Sequence, residues 1–81
     1  MKVIDLQKTC GGYPTTFEWK NGKGKDIYFR LRHGHARIEN ETTNKIIIEG
    51  SFPYGDGVCS WEEAVRWARE NGLKLKEIQT D

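Results

Sequence analysis

Three guanidinium groups, an imidazole and a phenol fall on one side of a single stretch of this sequence. In Asp26-Ile27-Tyr28-Phe29-Arg30-Leu31-Arg32-His33, the apolar Ile27, Phe29 and Leu31 alternate with Tyr28, Arg30 and Arg32. A period of two marks a strand buried on one face only. With the apolar set turned inward, Tyr28, Arg30 and Arg32 point outward. Further along, Ala36 and Ile38 are the inward residues, so His35 and Arg37 point outward as well. Arginine offers a planar fork of donors matched to phosphate or carboxylate, and tyrosine adds a stacking face. Tyr28, Arg30, Arg32, His35 and Arg37 therefore form the candidate ligand-binding face, suited to a small phosphorylated anion or a nucleotide. The competing reading is a solvated sheet face whose arginines are neutralised by Glu18 and Glu49 from neighbouring strands.

Other residues offer less. Cys10-Gly11-Gly12-Tyr13-Pro14 and Phe52-Pro53-Tyr54-Gly55-Asp56-Gly57 are Gly-rich loops that would expose amides and two tyrosines at one end of the sheet. The second runs into a helix N-terminus, which attracts anions in general, but Glu62 and Glu63 already occupy that positive end. Tyr13 and Tyr54 would serve a protein partner equally well. Ile47 joins them, because inward Ile46 and Ile48 leave it facing out beside Arg37. A second copy of the chain covering that face would give so small a domain extra buried surface, which brings a homodimer into consideration. His33-x-His35 with Cys10 and Cys59 supplies four zinc-type ligands, but their spacing matches no zinc knuckle, and no metal or other cofactor is expected. Cys59 precedes the helix, where a thiolate is favoured, yet no oxyanion-hole motif or orienting third residue accompanies it. Glu62 and Glu63 are adjacent and do not face one another as an acid and base must. The expectation is a non-catalytic protein.

These residues need a scaffold. Thr15-Thr16-Phe17-Glu18-Trp19-Lys20 alternates like a second strand, and Asn21-Gly22-Lys23-Gly24 is turn chemistry. Pairing Trp19 with Ile27 and Phe17 with Phe29 keeps all four apolar side chains on one face, and sets Lys20 opposite Asp26. At Gly34 the inward residues change from odd to even, which predicts one long bent strand over about 26–39 with a bulge around His33–His35. A turn at Asn40–Asn44 then leads to the strand Lys45–Glu49, with Ile38 opposite Ile46, Ala36 opposite Ile48 and Glu39 closing against Lys45. Ser60 and Glu63 form a capping box, and Gly72 is a stop signal, so a helix is predicted over about 60–71. Trp61, Ala64, Val65 and Ala68 form its apolar face, with Trp67 toward the flank. The tail Leu73–Ile78 reads as a short strand beside Val3–Leu6. The predicted fold is α+β: a bent antiparallel meander of three to four strands packed against one C-terminal helix, in a single domain over 1–81.

Tyr13-Pro14-Thr15-Thr16-Phe17-Glu18, Gly22-Lys23-Gly24 and Ile27-Tyr28-Phe29-Arg30-Leu31-Arg32 together resemble a pattern in short bacterial and phage-encoded proteins, roughly P-T-Q-[WFY]-E-G, a D-G turn, then [YF]-x-R-Y-R-x-G. Thr16 stands in place of the Gln, Trp19 of the Gly and Leu31 of the central Tyr. No activity or functional residue carries over. The resemblance implies a small accessory protein of phage type, of the kind that blocks or adapts a host protein, and that is the alternative function.

Composition narrows the choice. The chain has 81 residues, 13 basic and 12 acidic, for a net charge of +1. A large multi-part enzyme is excluded by length. Near-neutral charge favours a small anion over an extended nucleic acid, which needs a broader basic field. No apolar run reaches the roughly 20 residues that span a bilayer, and Met1-Lys2-Val3-Ile4-Asp5 lacks a signal-type apolar region. Two cysteines are too few for a disulfide scaffold, so a reduced, cytoplasmic protein is expected, with a Cys10–Cys59 bridge left geometrically open.

Overall fold

The computed structural model describes residues 1–10 and 13–78. In chain order these form β1 (Lys2–Cys10), β2 (Thr15–Lys20), β3 (Asp26–Arg32), β4 (His35–Asn40), β5 (Lys45–Ser51), α1 (Trp61–Glu70) and β6 (Lys76–Glu77). The sheet order is β5-β4-β3-β2-β1-β6. Five strands make an antiparallel meander, and β6 adds to β1 in parallel, with Lys2 opposite Lys76 and Val3 opposite Glu77. The sheet curls into a half-barrel with one C-terminal helix. Among the described residues no helix is long and apolar enough to cross a membrane.

The alternation of β2 and β3 sets their register as expected: Phe17 lies opposite Phe29, Trp19 opposite Ile27 and Lys20 opposite Asp26. Lys20 Nζ reaches Asp26 Oδ1 at 2.8 Å. Asn21 organises the loop between them, its side-chain oxygen accepting from the Lys23 and Lys25 amides. The inward residues Phe17, Trp19, Ile27, Phe29, Leu31, Ala36 and Ile38 are all buried.

The chain does not continue through Gly34 as one bulged strand. His33 and Gly34 both have positive φ, 53° and 71°, as the two central residues of a type I′ hairpin turn require. The chain reverses there, and β4 pairs back along β3 with Phe29 opposite Ile38 and Leu31 opposite Ala36. A two-residue turn pairs odd positions with even ones, which accounts for the change of parity. The turn makes two strands of the one expected, and with β1 and β6 the sheet has six strands rather than three or four.

The β4–β5 register also differs from expectation. Ile38 pairs with Ile48, Ala36 with Gly50, Glu39 with Ile46 and Asn40 with Lys45, and the register shifts between Ile38 and Glu39. Ile47 is the extra residue of this bulge. It is half-buried and packs against the core beside Ile48, while Ile46 is the exposed one. Ile47 thus does not face outward beside Arg37; Glu49 does.

Helix α1 opens with the capping box: Ser60 Oγ accepts from the Glu63 amide, and Glu63 Oε1 accepts from the Ser60 amide. It closes at Gly72, φ +91°, where the Leu73 amide donates to Ala68 O and the Gly72 amide to Arg69 O, a Schellman motif. Trp67 is central rather than flanking. It is 1% exposed, its ring packs on Phe29 and Phe52, and its indole N–H donates to Ser51 O. Trp61 packs edge-on against Phe17 and Trp19. These aromatics join the helix to the concave face of the sheet and leave the other face outward.

Candidate anion-binding site

Arg30, Arg32, His33, His35 and Arg37 line one open groove of about 320 Å³. The β3–β4 hairpin builds it. Because the turn is so tight, Arg30 is set directly opposite Arg37, and Arg32 directly opposite His35. Two successive outward cross-strand pairs therefore hold only cationic or cation-capable groups. Like charges directly opposite one another are destabilising in a sheet.

Neighbouring carboxylates relieve part of this charge. Glu49, opposite Arg37 on β5, approaches His35 Nε2 at 3.3 Å. Glu39 approaches Arg37 at 3.7 Å along β4. Arg37 Nε itself is buried without a hydrogen-bond partner. Among the described residues, Arg30 and Arg32 form no ion pair. Glu18 does not neutralise them either, since it lies opposite Tyr28, while Thr16 lies opposite Arg30. Thr16 is bound instead to Thr9, with 2.6 Å between the hydroxyls.

The hairpin tip is pinned from behind. The Gly34 amide donates to Asp56 O at 2.6 Å, and the Phe52 amide donates to Gly34 O at 2.8 Å. The loop at 52–59 therefore fixes the turn that opposes the arginines. Tyr13 closes the same end. Its hydroxyl lies 2.7 Å from His33 Nδ1 and accepts from the His33 amide at 3.3 Å. The hydroxyl thus ties both the ring and the backbone of His33 and leaves Nε2 on the far side of the ring.

Of the residues expected at the ligand face, Arg30, Arg32, His35 and Arg37 are brought together. Tyr28 is on the same face but outside the groove, between Glu18 and Glu39. His33, considered in the sequence only as a metal ligand, belongs to the groove; recognising His33-Gly34 as a turn would have placed it there. The residues expected at a partner surface separate. Tyr13 is 53% exposed beside His33. Tyr54 lies against the helix, stacked with Arg66 and donating its hydroxyl proton to Glu70. That hydrogen bond holds the Tyr54 phenol above its usual pKa. Gly11 and Gly12 of the first Gly-rich loop lie outside the described residues.

Cys59 is buried, and its thiol is pushed up to about 11, first by burial and then by Glu63. A position before the helix thus does not yield a thiolate at neutral pH. Cys10 and Cys59 are both free thiols. Among the described residues, no group of three or more His, Cys, Asp or Glu side chains is disposed to hold a metal ion. At the opposite end of β2 and β3 lies a larger hollow of about 600 Å³, whose lining includes Asp5, Glu18, Lys20, Asp26 and Glu41. The chain matches no family model, no curated protein and no solved structure.

Proposed function

We propose that this protein is a non-catalytic binding protein whose outward β3–β4 groove takes a small phosphorylated anion. The observation that carries this reading is the register that sets Arg30 opposite Arg37, with Arg32 opposite His35 beside them. An arginine cannot discharge by losing its proton. Beyond screening by solvent, the repulsion is relieved by carboxylates or by an external anion, and no carboxylate pairs with Arg30 or Arg32 among the described residues. A phosphate group accepts forked hydrogen bonds from two arginines at once. Near-neutral net charge and the groove's modest volume fit a compact anion better than an extended polyanion.

Isothermal titration with pyrophosphate at low and moderate salt tests this. Saturable binding is expected, weakening as salt rises and abolished in an Arg30→Ala/Arg32→Ala variant. Absence of saturable binding at low salt would overturn it. Capture of a host protein that survives salt and the arginine substitutions, but fails in Tyr13→Ala, would favour the alternative of a host-directed interaction protein.

A further inference from the structure

An aromatic ring stands beside the groove, against its lining residue His33. Tyr13 and His33 meet edge-to-face, 5.7 Å between ring centroids at 66°, and the Tyr13 hydroxyl is joined to the His33 ring and amide. On the other side of the Tyr13 ring is Gly57, where an added Cβ would stand 1.9 Å from Tyr13 Cε2. The ring is seated on glycine backbone and tied at its hydroxyl, yet remains 53% exposed. A large, exposed aromatic residue held in place can serve as a stacking platform, and it stands beside His33, which lines the groove.

From this juxtaposition we infer that the groove is specific for nucleoside phosphates, the base stacking on Tyr13 and the phosphate held between Arg30, Arg32 and Arg37. This rests on the anion reading and narrows it. At about 3.3 Å per strand residue, Arg32 and Arg30 stand roughly 3 and 10 Å along β3 from His33. A ribose between base and phosphate spans that range. His33 Nε2, with Nδ1 engaged by Tyr13, is the ring nitrogen left for a hydrogen bond to the sugar or the base. The platform reads no base identity by itself, because every base has a π-face to stack.

The test compares adenosine 5′-monophosphate, ribose 5-phosphate and pyrophosphate by titration calorimetry on the intact chain. The expected result is that adenosine 5′-monophosphate binds about tenfold tighter than ribose 5-phosphate. The difference should disappear in Tyr13→Ala and persist in Tyr13→Phe, which keeps the ring and loses only the hydroxyl. Gly57→Ala, which must displace the ring, should behave like Tyr13→Ala, and unchanged pyrophosphate binding in each variant shows that the fold is retained. Equal affinity for adenosine 5′-monophosphate and ribose 5-phosphate, with pyrophosphate still bound, would overturn the nucleotide inference and leave the anion reading standing. Failure of all three to bind would overturn both.

Discussion

The two ends of the outward sheet face concentrate opposite charges and handle the repulsion differently. At one end Arg30, Arg32, His35 and Arg37 crowd a groove of about 320 Å³. At the other, Asp5, Glu18, Asp26 and Glu41 surround a hollow nearly twice as large. The acidic end has two ways to relieve itself. Lys20 pairs with Asp26 at 2.8 Å, and Glu41 can take up a proton: burial, and then its contact with Glu18, raise its pKa above the ordinary 4.5. At the basic end Glu49 and Glu39 reach His35 and Arg37, but among the described residues no carboxylate pairs with Arg30 or Arg32, and guanidinium groups stay charged at any physiological pH. The smaller hollow is thus the better candidate site. What distinguishes it is the pair Arg30 and Arg32, whose charge no described carboxylate meets, and size is a poor guide.

Four perturbations separate the two ends. The largest effect is expected from Arg30→Ala/Arg32→Ala. Hydrogen bonds to charged groups contribute about 1.5–3 kcal/mol each, so calorimetry should show pyrophosphate affinity falling about a hundredfold or more. Charge removal at the acidic end by Glu18→Gln should leave that affinity within a few-fold. Next is Gly34→Val. At φ +71° a β-branched residue is strained by about 1–3 kcal/mol, and denaturant unfolding should show that loss together with weaker pyrophosphate binding. Third, Arg30→Gln alone should raise stability in anion-free buffer by about 0.2–1 kcal/mol, the magnitude of a like-charge cross-strand contact. A gain in melting temperature with a loss of binding would mark Arg30 as retained for function at the expense of stability.

The smallest effect belongs to Glu41→Gln. A carboxyl with a raised folded pKa binds its proton more tightly folded than unfolded, so it favours folding at low pH. That contribution is lost as pH rises through the folded pKa. The variant should therefore melt slightly higher than wild type at pH 7, within the few tenths of a kcal/mol usual for surface changes. The advantage should fade as pH falls toward 4.5 and wild-type Glu41 takes up its proton.

Much of this arrangement was legible in the residues. Alternation in Phe17-Glu18-Trp19 and Ile27-Tyr28-Phe29 allowed only the β2–β3 register observed, and Ser60, Glu63 and Gly72 marked the helix ends. The outward facing of Arg30, Arg32, His35 and Arg37 was also recoverable, for an instructive reason. A bulge at Gly34 and a two-residue turn at His33-Gly34 change side-chain parity identically, so either reading puts those residues on the same face. Only the turn sets Arg30 opposite Arg37, and parity carries no information on whether a chain bends or reverses. The β5 register was hidden because Ile46-Ile47-Ile48 has no polar residue to mark which side faces water. In β1 the register shifts between Ile4 and Gln7, and Asp5 there has φ +54°; that irregularity breaks the alternation by which a nine-residue strand would be recognised. Tyr13 meets His33 across 20 residues of chain, a contact that local pattern does not encode.

The most direct measurement is a heteronuclear NMR titration of the intact protein with pyrophosphate at low salt, following every backbone amide. Saturable shifts concentrated on residues 30–37, with Glu18, Asp26 and Glu41 unmoved, are the expected result. No saturable shift, or shifts centred on the exposed Lys20 and Lys23 instead, would contradict a basic groove that needs an anion from outside.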